Sequence, residues 1–186
     1  MLKKQEKIGK VQSEAFEWME SIVFALVIVV LIFTFLFRAV QVDGESMVPT
    51  LQDKDKVILF CAGYTPKNGD IVVLTEENGF NKPLIKRVIA VGGQTINIDP
   101  VNHIVYVDDV PLHEPYIAEP IRTAGDAYTY PLTIPEGKVF CMGDNRNHSS
   151  DSRSSLVGMI DNEKVMGKVL FRYAPLSSFG GVYKYE

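Results

Sequence analysis

The sequence predicts a mainly β domain carried behind one membrane-spanning helix. Three observations predict it. Ser21 to Phe37 is an uncharged apolar run of seventeen residues, near the shortest length that crosses a bilayer core. After Arg38 the chain breaks into short stretches rich in Val, Ile and Tyr, separated by Gly, Pro, Asn and Asp clusters, the pattern of strands and turns. No long amphipathic helical repeat follows, which argues against a doubly wound α/β sheet.

The anchor is expected over 18–38, behind a cytoplasmic segment 1–17. Trp18 suits the headgroup zone at its start and Arg38 can snorkel at its end. Phe37-Arg38-Ala39-Val40-Gln41 is bulky and charged, unlike the small-x-small site of a cleaved secretory signal, so the helix reads as uncleaved. Lys3, Lys4, Lys7 and Lys10 precede it, and the positive-inside rule then places the N-terminus in the cytoplasm and residues 39–186 outside. Glu6, Glu14, Glu17 and Glu20 dilute that charge, but the rule counts Lys and Arg.

From Ala39 onward fourteen Lys and Arg face nineteen Asp and Glu. An acidic domain is a poor nucleic-acid binder. Cys61 and Cys141 have no CxxC or metal-ligand spacing and both adjoin apolar runs, so they read as small buried residues; a disulfide outside the cytosol stays open.

Strands are expected over Lys56–Phe60, Asp70–Leu74, Leu84–Val91, Thr95–Ile98, Ile104–Val107, Tyr128–Leu132, Lys138–Met142 and Gly167–Tyr173. Asp99-Pro100-Val101-Asn102 reads as a hairpin turn, and Asp161–Met166 as a short helix. A more polar stretch at roughly 95–135, with Pro111, Pro115 and Pro120, reads as a small insert between two core strand sets.

Ser46 stands eight residues past Arg38, close to the bilayer surface. Gly44 permits a turn that other residues resist, and Pro49 keeps Val48 from the α region. The expectation is an extended Ser46 that presents its hydroxyl and its own backbone N–H together, an attacking oxygen plus one oxyanion donor. G-x-S-x-G fails at Val48, and no S-x-x-K pattern occurs. A Ser-His-Asp triad could use any of His103, His113 and His148, but all three fall in polar stretches and read by default as solvated loop residues. Lys86 lies in Leu84–Val91, where alternation puts it on one face with Leu84, Val88 and Ala90, and Arg87 on the other. An amine on an apolar face has a lowered pKa, and a fall from ~10.4 toward ~7–8 makes a workable general base. A strand-edge lysine that snorkels to water is the plainer alternative. The polar run from Gly143 to Arg153 is dense enough in hydrogen-bonding groups to support such a pair.

With these residues in view, the chain resembles bacterial type I signal peptidases, the leader peptidases of the Gram-positive, single-anchor kind. The likeness rests on four ordered blocks: Gly44 to Leu51; Gly69 to Val73; Lys86 to Ile89 with Gly92-Gly93; and Gly143 to Arg146 through Ser149, Asp151, Ser152 and Arg153. Val105-Tyr106-Val107 with Glu114-Pro115-Tyr116 adds to it. The resemblance implies Ser46 as nucleophile, Lys86 as general base and Ser149 as the hydroxyl that orients the amine. It implies Asp151 and Arg153 as an ion pair, Asp144 as a supporting acid, Arg87 as structural, and no metal or cofactor. It also implies an antiparallel coiled β-sheet peptidase domain with a small β insert. Substrates would be secretory preproteins with signal peptides, cut after small residues of Ala-x-Ala type at the plasma membrane, beside the lipid bilayer and near the secretion translocase. Some family members carry an oxyanion-hole serine two residues before the nucleophile. Here that position is Gly44, which leaves the Ser46 N–H alone or with water or another main-chain donor.

Overall fold

A computed structural model describes residues 2–76 and 79–183, with side chains from Glu14 onward. The chain divides into two compact units, Met1–Phe37 and Arg38–Glu186.

The first unit is helix α1, Leu2–Leu36. Its stretch Glu14–Leu36, twenty-three residues, is long and apolar enough to cross a membrane, since ~1.5 Å per residue spans the ~30 Å core. Its hydroxyls are satisfied inside the helix: Ser21 Oγ donates to Glu17 O at 2.9 Å and Thr34 Oγ1 to Val30 O at 2.7 Å. Such self-satisfaction suits a medium without water. The helix ends two residues before Arg38, because Phe37 already opens a strand. The side chains of Lys3, Lys4, Lys7 and Lys10, on which the orientation rests, lie outside the described residues.

The second unit is mainly antiparallel β. Its strands are β1 (Phe37–Gln41), β2 (Lys56–Phe60), β3 (Ile71–Leu74), β4 (Leu84–Val91), β5 (Thr95–Asp99), β6 (Ile104–Val107), β7 (Val110–Pro111), β8 (Leu132–Thr133), β9 (Lys138–Met142), β10 (Ile160–Asp161), β11 (Val165–Ala174) and β12 (Gly180–Gly181). A curled sheet runs β1-β2-β11-β3-β4-β9-β10, with β12 beside β11, and a smaller sheet runs β7-β6-β5-β8. Bulges in β11, at Val165/Gly167, Val169/Phe171 and Arg172/Ala174, bend the large sheet.

The sequence pattern located β2, β4, β6 and β9 at their observed bounds. The expected turn closes β5 onto β6, where the Asp99 carboxylate accepts the N–H groups of Val101 and Asn102 at 2.9 and 3.0 Å. Two expectations are corrected. Tyr128–Leu132 is strand only from Leu132, because Tyr128 and Tyr130 turn onto Phe140 instead of joining a ladder. Asp161–Met166 is a single 3-10 turn, Asn162–Lys164, between two strands.

Three apolar clusters fill the unit. One joins the small sheet to the large one through Ile96, Ile98, Val105, Ile121, Ile134 and Phe140. A second holds Val42, Met47 and Leu51 against Val57, Leu59, Ile71 and Val169. The third packs Val72, Leu74 and Val88 against Val139 and Cys141. Both cysteines are free thiols, Cys141 buried and Cys61 half-buried.

Candidate active site

The second cluster explains how Ser46 is held. Met47 and Leu51, both buried, pin the segment on either side of Pro49. Gly44 sits at φ +88°, a conformation glycine adopts at low cost, and its N–H donates to Asp53 Oδ1 at 2.9 Å. Ser46 is not extended as expected. It lies in a turn closed by Val48 N–H to Glu45 O at 3.2 Å, and Leu51 N–H to Met47 O at 2.9 Å continues the coil. From this coil Met47 and Leu51 both reach the second cluster.

Lys86 comes from the middle of β4 and is 2% exposed. It pairs across the ladder with Val72, and Val88 pairs with Cys141, so its surroundings are those of the third cluster. Ala90 does not share this face. A bulge between Val88 and Ala90 turns Ala90 toward Phe140 in the first cluster. Lys86 Nζ donates to Ser46 Oγ at 2.8 Å and to Ile85 O at 2.9 Å. Burial pushes the amine down to about 8; the more distant carboxylates of Asp151 and Asp144 oppose that shift, and Lys82 adds to it.

A polar loop closes the site from behind. Asp151 takes both Nε and Nη2 of Arg153 at 2.8 Å and the Gly143 N–H at 3.0 Å. Burial alone would raise the Asp151 carboxyl, but Arg153, the Gly143 N–H and Ser149 together outweigh it and the net shift is downward. Asp144 takes Nε and Nη2 of Arg87 at 2.9 and 2.7 Å, and the Thr50 hydroxyl as well. Ser149 differs from expectation: its Oγ is buried and has no hydrogen bond to Lys86. It sits over Gly143, where any Cβ would collide with it, and lies near enough Asp151 to help lower that acid. The Lys86 amine is oriented by Ile85 O instead.

Ser46 and Lys86 open onto a cleft of about 370 Å³. One wall is Val40 to Met47, the other Phe80 to Lys86, with His148 and Ser150 at the rim. β9 pairs with β4 only from Arg87 onward, so Leu84–Lys86, laddered to β3 on one side, borders the cleft on the other. Among the described residues no histidine is hydrogen-bonded to Ser46 or Lys86. His148 is 73% exposed with Nε2 3.7 Å from Glu119, and His103 Nδ1 lies 2.7 Å from Ile121 O. Among the described residues no group of three or more His, Cys, Asp or Glu could hold a metal.

A family model described as signal peptidase, peptidase S26, matches residues 15–174. The chain belongs to the S26 signal peptidase family. It is thereby a serine endopeptidase, of the family whose members remove signal peptides. Among its relatives, Signal peptidase I of Bacillus amyloliquefaciens is 37% identical over 95% of this chain and 97% of its own. Probable signal peptidase I-1 of Synechocystis is 38% identical over 84% of this chain and 81% of its own. Signal peptidase IB of Staphylococcus aureus is 34% identical over 90% and 94%. A crystal structure of a signal peptidase I from Enterococcus faecalis aligns with TM-score 0.46 and 28% identity, covering 56% of this chain and 97% of that one.

The matching sequence blocks include Glu114, Tyr116, Asn145 and Arg146 but give none of their partners. Arg146, fully buried, grips Glu114 of the insert with Nη1 and Nη2, and Tyr116 lies 3.9 Å under the Arg87 guanidinium. Asn147 bonds Arg122 N–H and Pro120 O at 3.0 Å each. Asn145 reaches the Ser46 segment itself, its N–H donating to Ser46 O at 3.0 Å and its Nδ2 to Glu45 O at 3.1 Å. None of these pairings has a sequence period. The sequence offered the matching blocks and the density of polar residues in the loop, not the pairings.

Proposed function

We propose that this chain is a membrane-anchored peptidase that removes signal peptides from secreted preproteins with a Ser–Lys dyad, cutting after small residues. The observation that carries the reading is the 2.8 Å approach of Ser46 Oγ to a Lys86 amine that is buried and shifted down to about 8. An amine with that shift is partly neutral near physiological pH and can accept a proton.

Neutral Lys86 Nζ takes the Ser46 proton as Oγ attacks the scissile carbonyl carbon. The resulting oxyanion is met by the Ser46 N–H. Lys86, now an ammonium, protonates the leaving amine, which departs as the mature N-terminus. An acyl-enzyme ester on Ser46 remains. Lys86 then takes a proton from water, the hydroxide opens the ester, and the proton returns to Ser46. Asp151 with Arg153, and Asp144 with Arg87, hold the loop and β4 in register; Ser149 fills the space behind Gly143.

The substrate would lie extended between the two cleft walls and add to the backbone at Leu84–Lys86. Val40, Val42, Leu84 and Ile85 line that path, an apolar surface suited to alanine-sized side chains. Helix α1 would span the plasma membrane once, N-terminus in the cytoplasm and residues 39–186 outside, near the secretion translocase. Confining enzyme and preprotein to one membrane raises their effective concentration.

The deciding experiment is cleavage of a purified preprotein by the full chain in detergent, with a mechanism-based serine acylator located by mass spectrometry. The reading requires the label on Ser46 and loss of cleavage in both Ser46→Ala and Lys86→Ala. A label elsewhere, or a folded Ser46→Ala that still cuts, overturns it. An anchored binding domain without catalysis would show neither label nor cleavage.

A further inference from the structure

Asn145 lies in the polar loop, 8% exposed, and holds both peptide groups that flank Ser46. Its side-chain Nδ2 donates to Glu45 O at 3.1 Å and its backbone N–H to Ser46 O at 3.0 Å. Glu45 O also accepts Val48 N–H at 3.2 Å, so this carbonyl is fixed twice. In a trans peptide the carbonyl oxygen and the next amide hydrogen point in opposite directions. Fixing Glu45 O toward Asn145 therefore directs the Ser46 N–H away from the loop. Glu45 and Ser46 are cleft-lining residues, and among the described residues no acceptor takes the Ser46 N–H.

We infer that Asn145 is a positioning residue for the oxyanion donor: it orients the Glu45–Ser46 peptide, and by bonding its carbonyl it strengthens the N–H at the other end. A carbonyl that accepts hydrogen bonds polarises its own peptide and makes the amide a better donor. This matters here because position 44 is glycine and offers no side-chain hydroxyl. Asn145 would not touch the substrate. It acts through one peptide plane, and it belongs to the same loop whose neighbouring residue, Asp144, clamps Arg87 beside the base. Donor and base are thus aligned from a single segment. The inference rests on the dyad reading of Ser46 and Lys86.

The test uses the full-length chain in detergent micelles, with Asn145→Ala and, as control, Ser46→Ala. Three quantities are measured: kcat and KM on a preprotein-derived peptide, the inhibition constant of a peptide boronate whose tetrahedral adduct on Ser46 carries a negative oxygen, and the Kd of an uncleavable peptide. Direct loss of an oxyanion donor lowers kcat by about 10²–10³, and this indirect role predicts a fall of roughly 10–100-fold. The boronate should weaken by the same factor as kcat/KM, while KM and the uncleavable peptide's Kd stay within about twofold. A merely structural role would weaken both ligands together, and that result, or an unchanged kcat, overturns the inference. Should Asn145→Ala lose cooperative unfolding, Asn145→Leu keeps the volume and the backbone bond to Ser46 O, and the same criteria apply. Cleavage surviving in Ser46→Ala would sink the dyad reading itself, whereas a fast Asn145→Ala beside a dead Ser46→Ala sinks only this inference.

Discussion

Asp144 takes both Nε and Nη2 of Arg87, at 2.9 and 2.7 Å, one residue along β4 from Lys86. Both side chains are almost wholly buried, at 4% and 0% exposure. Thr50 also bonds this carboxylate, so the Ser46 segment, β4 and the polar loop meet at one anion. Removing one partner strands the other's charge in the interior, which typically costs 3–5 kcal/mol. Asp144→Ala should therefore lower stability to chemical denaturation by roughly that amount. Arg87→Lys should recover only part of it, since an ammonium cannot reproduce the two-pronged grip. Urea titrations of the three proteins check this.

Ser46→Ala and Lys86→Ala should each abolish preprotein cleavage, by ~10³-fold or more, yet remain folded. Circular dichroism melts beside the cleavage assay separate the two effects. An unfolded variant would leave the pair's contribution to packing as the cause of lost activity.

The lowered Lys86 pKa fixes two pH dependences. Cleavage should rise with pH through an apparent pKa of about 8, not 10.5. For stability the sign follows from proton counts. Between about 8 and 10.5 the unfolded chain binds more protons at this site than the folded one, so the Lys86 contribution to stability rises with pH across that window. Below it both states are protonated and the folded state carries the full burial penalty, roughly 3 kcal/mol. Lys86→Met should be more stable than the parent at pH 7, and the gap should shrink by pH 10. A constant gap across pH would contradict the assignment.

Gly143 admits no side chain. A Cβ there would stand 2.4 Å from Ser46 O and 2.3 Å from Ser149 Oγ. Gly143→Ala must push the Ser46 segment or the loop aside, and a displacement near 1 Å costs about 10²-fold in rate. Single-turnover acylation of Ser46 is the measurement, with the fall in rate exceeding any fall in thermal stability.

His148→Ala should cleave within about threefold of the parent, as expected for an exposed side chain outside the network. Its ring borders the cleft but bonds neither Ser46 nor Lys86. Activity that collapses in this variant and survives in Lys86→Ala would instead favour a histidine base.

Much of this architecture was legible locally. The apolar run after Trp18, the alternation in Leu84–Val91 and the Asp99–Asn102 turn are short-range patterns, governed by solvent transfer, strand pleat and turn chemistry. A glycine turn near the anchor and an amine on an apolar face made Ser46 and Lys86 candidates, and the four ordered blocks of the family resemblance singled them out. What alternation could not reveal was the bulge after Val88, which turns Ala90 to the opposite face, or the turn that holds Ser46.

The sequence by itself determined most of the strands and an N-terminal helix long and apolar enough to cross a membrane, and it nominated the residues for the chemistry. Only the tertiary structure decided that Ser46 and Lys86, forty positions apart, stand 2.8 Å from each other. It also decided that Glu114 belongs to Arg146, Tyr116 to Arg87, and Asn145 to the peptide before Ser46. The reason is physical: burial presses charges and most polar groups to find a partner, and the partner is chosen by strand order and loop closure, which leave no period in the chain.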